Sequence, residues 1–274
     1  MPSLKGRVAI VTGASRGIGK AIALGLAGEG CDVVIAAKST ESTDKLPGSI
    51  FTVAAEVEGL GVRALPIRVD VRDADQIEGM ATQTLERFGK IDLLINNAGA
   101  LHWTGILDTP PKRFDLVMGV NARAAFLCCR AVLPAMIRQG GGHIINMSPP
   151  LDNSILPGRI AYGISKLGMT LLTLGLAEEL RQHHVAVNSL WPATIIESQA
   201  SINHGLGTPA MWRKPDILVD CVLRLACKEP TEVTGQALLD EDFLRAEGVT
   251  DFDGYACVPG SLPPRLTWDA FSKG

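Results

Sequence analysis

The sequence predicts an α/β fold, a doubly wound parallel sheet of about seven strands between two helix layers in a three-layer αβα sandwich. Three observations lead there. Short β-branched runs alternate with longer segments of helical period over the first two hundred residues. The runs are apolar throughout rather than alternately polar, as strands buried on both faces require. The first run passes directly into a glycine-rich turn that opens a helix-period segment, the start of a βαβ unit.

Taken in order, strands are expected at residues 8–12, 33–37, 64–69, 93–95, 143–147, 185–190 and 237–239. Helices are expected between them at 17–29, 48–59, 73–88, 112–139, 160–183 and 215–228, where apolar residues recur with a period near 3.6. No internal repeat, low-complexity block or Gly/Ser linker interrupts the series, so residues 1–274 are read as one domain. From about 241 to 274 the pattern fades into a polar extension with aromatics, expected to pack along a surface.

Composition narrows the function. A formal net charge of -3 and a sequence pI near 6.0 provide no basic field for nucleic acid or an anionic membrane, and favour a small-molecule partner. The six cysteines show no CxxC pair and no metal-ligand spacing, so no metal site is expected. They read as reduced thiols of a cytoplasmic protein, with Cys128 and Cys129 in an apolar helical run as core. The first residues lack the pattern of a signal peptide, and no uninterrupted apolar stretch approaches about 18 residues.

The turn after the first strand reads TGASRGIG, with Gly13, Ser15, Arg16, Gly17, Ile18 and Gly19 between strand and helix. Glycines there allow a tight turn, let backbone N–H groups approach a pyrophosphate and seat helix on strand, while the helix N-terminus favours the anion. A dinucleotide bound to a Rossmann-type sheet is the natural ligand. About 20 residues further such sheets usually carry an acidic residue for the ribose 2′-hydroxyl. Here the second strand ends Ile35-Ala36-Ala37-Lys38-Ser39. Lys38, with Arg16, favours the 2′-phosphate of NADP(H) over NAD(H), unless Lys38 is an ordinary surface lysine.

Tyr162 and Lys166 stand four apart in a predicted helix and project from one face. An ammonium beside a phenol stabilises the phenolate and lowers its pKa, making a general acid or base for a carbonyl or alcohol oxygen while a nicotinamide carries hydride. On spacing alone the pair is as compatible with an exposed helix face.

TGASRGIG, Asp70-Val71, Asn96-Asn97-Ala98-Gly99, Asn121 and Tyr162-x-x-x-Lys166 together resemble the short-chain dehydrogenase/reductase family in order and spacing, over about residues 4–236. The resemblance implies that Asp70 and Val71 sit at the adenine and that Asn97, Ala98 and Gly99 shape the cofactor cleft, with Asn96 as the asparagine on its cofactor side. It implies that Asn121 kinks a helix and holds a water in a proton relay, and that Lys166 also binds the nicotinamide ribose. It places Pro192 and Thr194 near the nicotinamide amide, and helices 112–139 and 160–183 at the contacts of a homodimer or homotetramer.

The sequence departs from the family after the fifth strand. A serine that bonds the substrate oxygen is expected there, but the run is Met147-Ser148-Pro149-Pro150, and proline offers neither hydroxyl nor N–H. Ser148 or Ser154 is the candidate substitute. This departure and the run TGQALLDEDFLRAEG resemble one branch of the family whose members can carry an added sterol-carrier domain. The 274 residues are expected to hold the reductase module alone. The segment after Pro192, with Ile202, Met211 and Trp212, reads as an apolar lid or as buried packing; His102-Trp103 reads as part of the substrate entrance or as loop packing; His183-His184 reads as a helix end. The leading expectation is reversible NADP(H)-linked reduction of an aldehyde or ketone by Tyr162, Lys166, Asn121 and Ser148. A nucleotide-binding regulatory protein, favoured by Pro149, and an NAD(H)-linked alcohol dehydrogenase stay open.

Overall fold

The computed structural model describes residues 3–43, 47–150 and 157–266. Its strands are β1 (Val8–Thr12), β2 (Asp32–Ala37), β3 (Ala64–Arg68), β4 (Leu93–Asn96), β5 (Gly142–Asn146), β6 (Val185–Trp191), β7 (Ile195–Ile196), β8 (Trp212–Arg213) and β9 (Ala237–Leu239). Seven of them form one sheet in the order β3-β2-β1-β4-β5-β6-β9, every pair parallel, while β7 and β8 make a separate two-stranded ribbon. Because all seven run the same way, their carboxyl ends share one edge. The winding reverses between β1 and β4, which opens a crevice at that edge.

The apolar runs fill two cores, as both-face burial demands. Ala9, Val11, Val33, Ile35, Leu93 and Ile95 face α1 (Gly17–Gly28), α2 (Ile50–Glu58) and α8 (Asp216–Cys227). Their alternates Ile10, Val34 and Leu94 face α3 (Ala74–Phe88), α5 (Ala124–Gln139) and α6 (Ile160–Glu179). Helix starts follow local chemistry. Ser49 forms a capping box with Thr52 ahead of α2, and the Asp73 carboxylate accepts from the backbone N–H groups of Asp75 and Gln76 ahead of α3.

Three departures from the sequence reading are informative. The helix expected over 112–139 is α4 (Pro111–Met118) joined to α5 through a π-helical turn, Gly119–Arg123, with Asn121 inside it; periodicity cannot register one extra residue in a turn. The helix expected to reach 183 ends at Glu179 and continues as a short 3₁₀ turn, Arg181–His183. The region after Asp240 is no polar surface tail: α9 (Asp240–Ala246) buries Phe243 and Leu244, and Phe252 joins the same core. A further short helix, α7 (Gln199–Asn203), follows β7.

The stretches Pro111–Gln139 and Ile160–Glu179 are long and apolar enough to cross a membrane by length and composition, although charges interrupt them. Here each lays one face on the sheet, and Phe126, Ile164 and Leu171 stand exposed on the outer side.

Helix α1 approaches α8 closely at Gly25, where an added Cβ would run into Val219 Cγ1. Alanine gains about 1 kcal/mol of helix propensity over glycine, but overpacking a stiff β-branched neighbour costs about 1–3 kcal/mol. Gly25→Ala is expected to destabilise the fold by about 1 kcal/mol, read as a lower midpoint in urea unfolding; an unchanged or higher midpoint contradicts this packing.

Candidate active site

A cleft of about 1040 Å³ opens at the carboxyl edge of the sheet. The residues expected at the cofactor, all but Asn96, line it: Gly13, Ser15, Arg16, Gly17, Ile18 and Gly19 from the loop after β1, Lys38 after β2, Asp70 and Val71 after β3, Asn97, Ala98 and Gly99 after β4, Tyr162 and Lys166 on α6, and Pro192 and Thr194 after β6. The parallel sheet brings these loops together because each follows the same end of a strand.

The inner wall is pinned by side chains. The Thr12 hydroxyl donates to the Ile95 carbonyl at 3.2 Å and accepts from the backbone N–H of Asn97 and of Ala98, each at 3.0 Å. Asn97 Nδ2 donates to the Thr12 carbonyl at 2.9 Å. Gly13, at φ 68°, would place a Cβ 2.9 Å from Ala98 Cα, so a side chain there would push β1 and β4 apart. No side chain caps the first turn of α1, and its N-terminal N–H groups face the cleft as an anion site.

At one end, Lys38 is exposed at the cleft margin, and Arg16 reaches the same place, its guanidinium donating to the Ser39 hydroxyl and the Gly48 carbonyl, both at 3.0 Å. Asp70 is paired with Arg72 at 2.5 Å, which pulls its carboxyl down to about 2.

The asparagines of the fourth strand divide their work. Asn96 does not face the cleft as expected. It is buried, donating to Asn146 Oδ1 at 2.8 Å, and Asn146 donates onward to the Thr173 hydroxyl at 2.8 Å. This buried chain ties β4 and β5 to α6, since an unpaired amide there would be costly. Asn97, the first residue after β4, is the asparagine that lines the cleft, where the chain turns and its N–H donates back to the Ile95 carbonyl at 3.0 Å.

At the reacting end, Lys166 is buried, and its ammonium donates to the Met147 carbonyl at 2.7 Å. It lies 5.5 Å from the Trp191 ring centroid and 6.0 Å from that of Tyr162. Burial lowers Lys166 to about 7 and pushes the Tyr162 phenol up. Desolvation is the cause in both groups. Asn121 does not line the cleft. It sits behind, its Oδ1 accepting from Ala100 N at 2.8 Å and its Nδ2 donating to Ala100 O at 3.1 Å and to the Ser165 hydroxyl at 2.8 Å. Ser165 in turn donates to the Tyr162 carbonyl at 2.7 Å, so Asn121 fixes the turn that carries the phenol.

Ser148 is not placed to replace the missing serine. It is fully buried with its hydroxyl 3.0 Å from that of Thr170, pointing into α6 rather than the cleft. Thr170 also donates to the Pro149 carbonyl at 2.5 Å, and Pro150, not Pro149, lines the cleft. Ser154 lies outside the described residues.

The loop after β6 is held from both sides. Ala193 N donates to Asp240 Oδ1 at 2.8 Å, and Ala193 O accepts from Leu266 N at 2.6 Å. The C-terminal region thus positions Thr194, whose buried hydroxyl has no hydrogen-bond partner among the described residues. Beside it, a buried ion pair joins Arg213 to Glu241 at 2.7 Å. Of the segment read as a lid, Trp212 is buried packing, while Ile202 and Met211 are exposed and off the cleft; Leu206 and Ser201 line it instead. Among the lining residues outside the expected cofactor and catalytic set are Trp103, Trp191, Arg159 and Arg265. Only Trp103 carried a signal, its position just after the NNAG run. No group of three or more His, Cys, Asp or Glu among the described residues is arranged to hold a metal.

The family model for short chain dehydrogenases matches residues 7–204. The chain belongs to the short-chain dehydrogenase/reductase family. It is 47% identical over 260 residues to hydroxysteroid dehydrogenase-like protein 2 of Danio rerio and 46% identical over 260 residues to that of Mus musculus, each alignment covering 94% of the chain. It spans 62% and 53% of those relatives, about half to two-thirds of their length. A solved structure from Xanthomonas campestris is 41% identical with a TM-score of 0.92, covering 96% of this chain and 98% of that one. Two more distant members were solved with nucleotide. One from Mycobacterium paratuberculosis is bound to NAD, at 26% identity and TM-score 0.75, covering 86% of this chain and 97% of its own. A metagenomic oxidoreductase is in complex with NADP, at 34% identity and TM-score 0.74, with the same coverages of 86% and 97%.

The residues fit a nicotinamide dinucleotide. The uncapped start of α1 suits a pyrophosphate, and the orphaned Thr194 hydroxyl offers a buried hydrogen-bonding group at the opposite end of the cleft.

The buried lysine predicts a pH dependence of stability. Its ordinary value is 10.5 and its folded value about 7, so between these the unfolded chain binds the proton that the folded chain has released. Stability from this group therefore rises with pH across that window, and its full cost is present below about 7. In paired urea titrations, Lys166→Met is expected to gain most on the wild type below pH 7 and to lose that advantage towards pH 10; a pH-independent difference contradicts the burial.

Proposed function

We propose that the chain is an NADP(H)-dependent oxidoreductase acting between the carbonyl and alcohol forms of a small, apolar substrate. The observation that carries this is the convergence of Tyr162 and Lys166, from one face of α6, on the cleft whose other walls are the glycine-rich loop and Thr194. When bound, the dinucleotide supplies or accepts the hydride. Tyr162 holds the proton that a carbonyl oxygen takes on reduction, since a phenol is protonated near pH 7. Lys166, anchored on Met147, holds its amino group at the same end of the cleft as a hydrogen-bond donor to the developing oxyanion. Asn121 acts through Ser165 on the turn bearing Tyr162. Leu101, Trp103, Trp191 and Leu206 line the substrate side and favour an apolar body on the substrate.

Preference for NADP(H) is supported by Lys38, which follows β2 where such sheets usually carry an acidic residue, and by Arg16 of the glycine-rich loop beside it. A second reading, a nucleotide-binding regulatory protein with little turnover, is favoured by Pro149 and by the inward-turned Ser148. We also propose that the exposed apolar faces of α5 and α6, with Phe126, Ile164 and Leu171, pair copies of the chain. The chain is taken as one domain built on one sheet and, from its reduced thiols, as cytoplasmic.

Tyr162→Phe is expected to retain NADPH binding within about twofold and to lose at least roughly a hundredfold in turnover of carbonyl probes, the scale of a general acid; unaltered turnover would remove the proposed acid, and wild-type binding without turnover would favour the regulatory reading. Lys38→Asp is expected to weaken NADPH relative to NADH by about tenfold or more, read by fluorescence titration, the worth of one charge-assisted phosphate contact. An unchanged ratio would assign Lys38 to the solvated surface.

A further inference from the structure

Ala193 stands between Pro192 and Thr194 of the cleft wall, and the two residues that grip it lie beyond residues 7–204, which the family model matches. The ladder between β6 and β9 ends at the pair Trp191 and Leu239, and Pro192 has no N–H with which to extend it. At the next N–H, that of Ala193, the Asp240 carboxylate takes over as acceptor, while Leu266 N donates to the Ala193 carbonyl at 2.6 Å. We propose that these two hydrogen bonds form a clamp that sets the affinity of the cleft for the nicotinamide half of the dinucleotide, with Asp240 and Leu266 as positioning residues. This rests on the oxidoreductase reading, in which Thr194 meets the nicotinamide, and adds to it what holds that end in place.

Asp240 is fully buried, and its Oδ1 accepts two backbone N–H groups, from Ala193 at 2.8 Å and from Glu241 at 2.7 Å. Hydrogen bonds to an anionic oxygen are roughly twice as strong as neutral ones. Oδ2 is buried with no hydrogen-bond partner among the described residues, so the carboxylate carries a desolvation cost and Oδ1 carries its work. The base of the clamp is stiff. Helix α9 starts at Asp240 and buries Phe243 and Leu244, and Glu241 pairs with Arg213 of β8 at 2.7 Å. Strand β8 pairs in turn with β7, which follows Thr194, Arg213 standing opposite Ile196. The loop 192–194 is thus enclosed by a ring of bonded segments, β6, β9, the start of α9, β8 and β7, and Ala193 is tied across it. The adenine end of the cleft is built from the loops after β1, β2 and β3, which share neither bond of the clamp. Loosening the clamp therefore acts on one half of the ligand.

The test measures, by titration calorimetry on the full chain, the binding of two ligands that differ only in the nicotinamide, NADPH and 2′-phospho-ADP-ribose. Asp240→Ala removes the acceptor, and Asp240→Asn keeps an acceptor oxygen in the same shape. Leu266→Pro removes the N–H, and Leu266→Ala keeps it as the control for a side chain that itself lines the cleft. Expected for Asp240→Ala is a Kd for NADPH raised about tenfold or more, the scale of a hydrogen bond to a charged group, with the Kd for 2′-phospho-ADP-ribose within about twofold of wild type. Asp240→Asn is expected to recover most of that loss. Leu266→Pro is expected to bind NADPH about fivefold more weakly than Leu266→Ala, with the fragment again unmoved. A merely structural role would weaken both ligands alike or neither, and either result overturns the proposal. So does Leu266→Pro binding like Leu266→Ala, a comparison that decides the matter even where Asp240→Ala does not fold. Wild type binding NADPH no more tightly than 2′-phospho-ADP-ribose would overturn the clamp together with the oxidoreductase reading. Selective loss of NADPH in the variants, with no turnover of carbonyl probes by wild type, would support the clamp and count against the oxidoreductase reading alone.

Discussion

The parallel direction of all seven sheet strands is the constraint on which the rest depends. It puts the loops after β1, β2, β3, β4 and β6 on one edge, and the reversal of winding between β1 and β4 parts them into a cleft. The two strands at the parting are held in register by Thr12 and Asn97, whose hydrogen bonds close the backbone exactly where neighbouring ladder bonds stop. Glycine at position 13 follows from that closeness, since Ala98 leaves no room for a Cβ.

The reacting end draws on the fold's stability. A lysine ammonium buried against one carbonyl is held well below its ordinary basicity, and only the packing around α6 keeps it there. That packing includes a polar chain, Asn96 to Asn146 to Thr173, which joins sheet to helix inside the core. The C-terminal region contributes from the other flank by gripping Ala193 at both its N–H and its carbonyl. The carboxyl of Asp240, raised by burial to about 6, is part of that grip. Residues far from the glycine-rich loop in sequence therefore set the position of Thr194.

Much of this was legible in the sequence. Both-face apolar runs gave the seven strands of the main sheet to within a residue or two, and the loop residues expected at the cofactor, Asn96 aside, line the cleft, because each stands just past a strand end and strand ends converge. Hydrogen bonds between residues distant in sequence were not legible. Asn96 and Asn97 are interchangeable on paper, and only the exact end of β4, with Asn96 inside the strand and Asn97 in the turn, decides which faces the core. Ser148 looked one residue away from a useful place, yet Thr170 offers its hydroxyl a nearer partner. Asn121 in its π-turn, the buried Phe243 and Leu244 of α9, and Trp103 over Tyr162 depend on tertiary packing that local periodicity does not encode.

The central claim is that the cleft is built for NADP(H) with its reacting end beside Tyr162, Trp103 and Trp191. The most direct measurement is quenching of intrinsic tryptophan fluorescence on titration with NADPH and, separately, NADH, since Trp103 and Trp191, two of the three tryptophans among the described residues, line the cleft. The account predicts saturable quenching by both, with NADPH tighter by about tenfold or more. Saturation with NADH as the tighter ligand would contradict the cofactor assignment, and no saturable response to either would contradict the site itself.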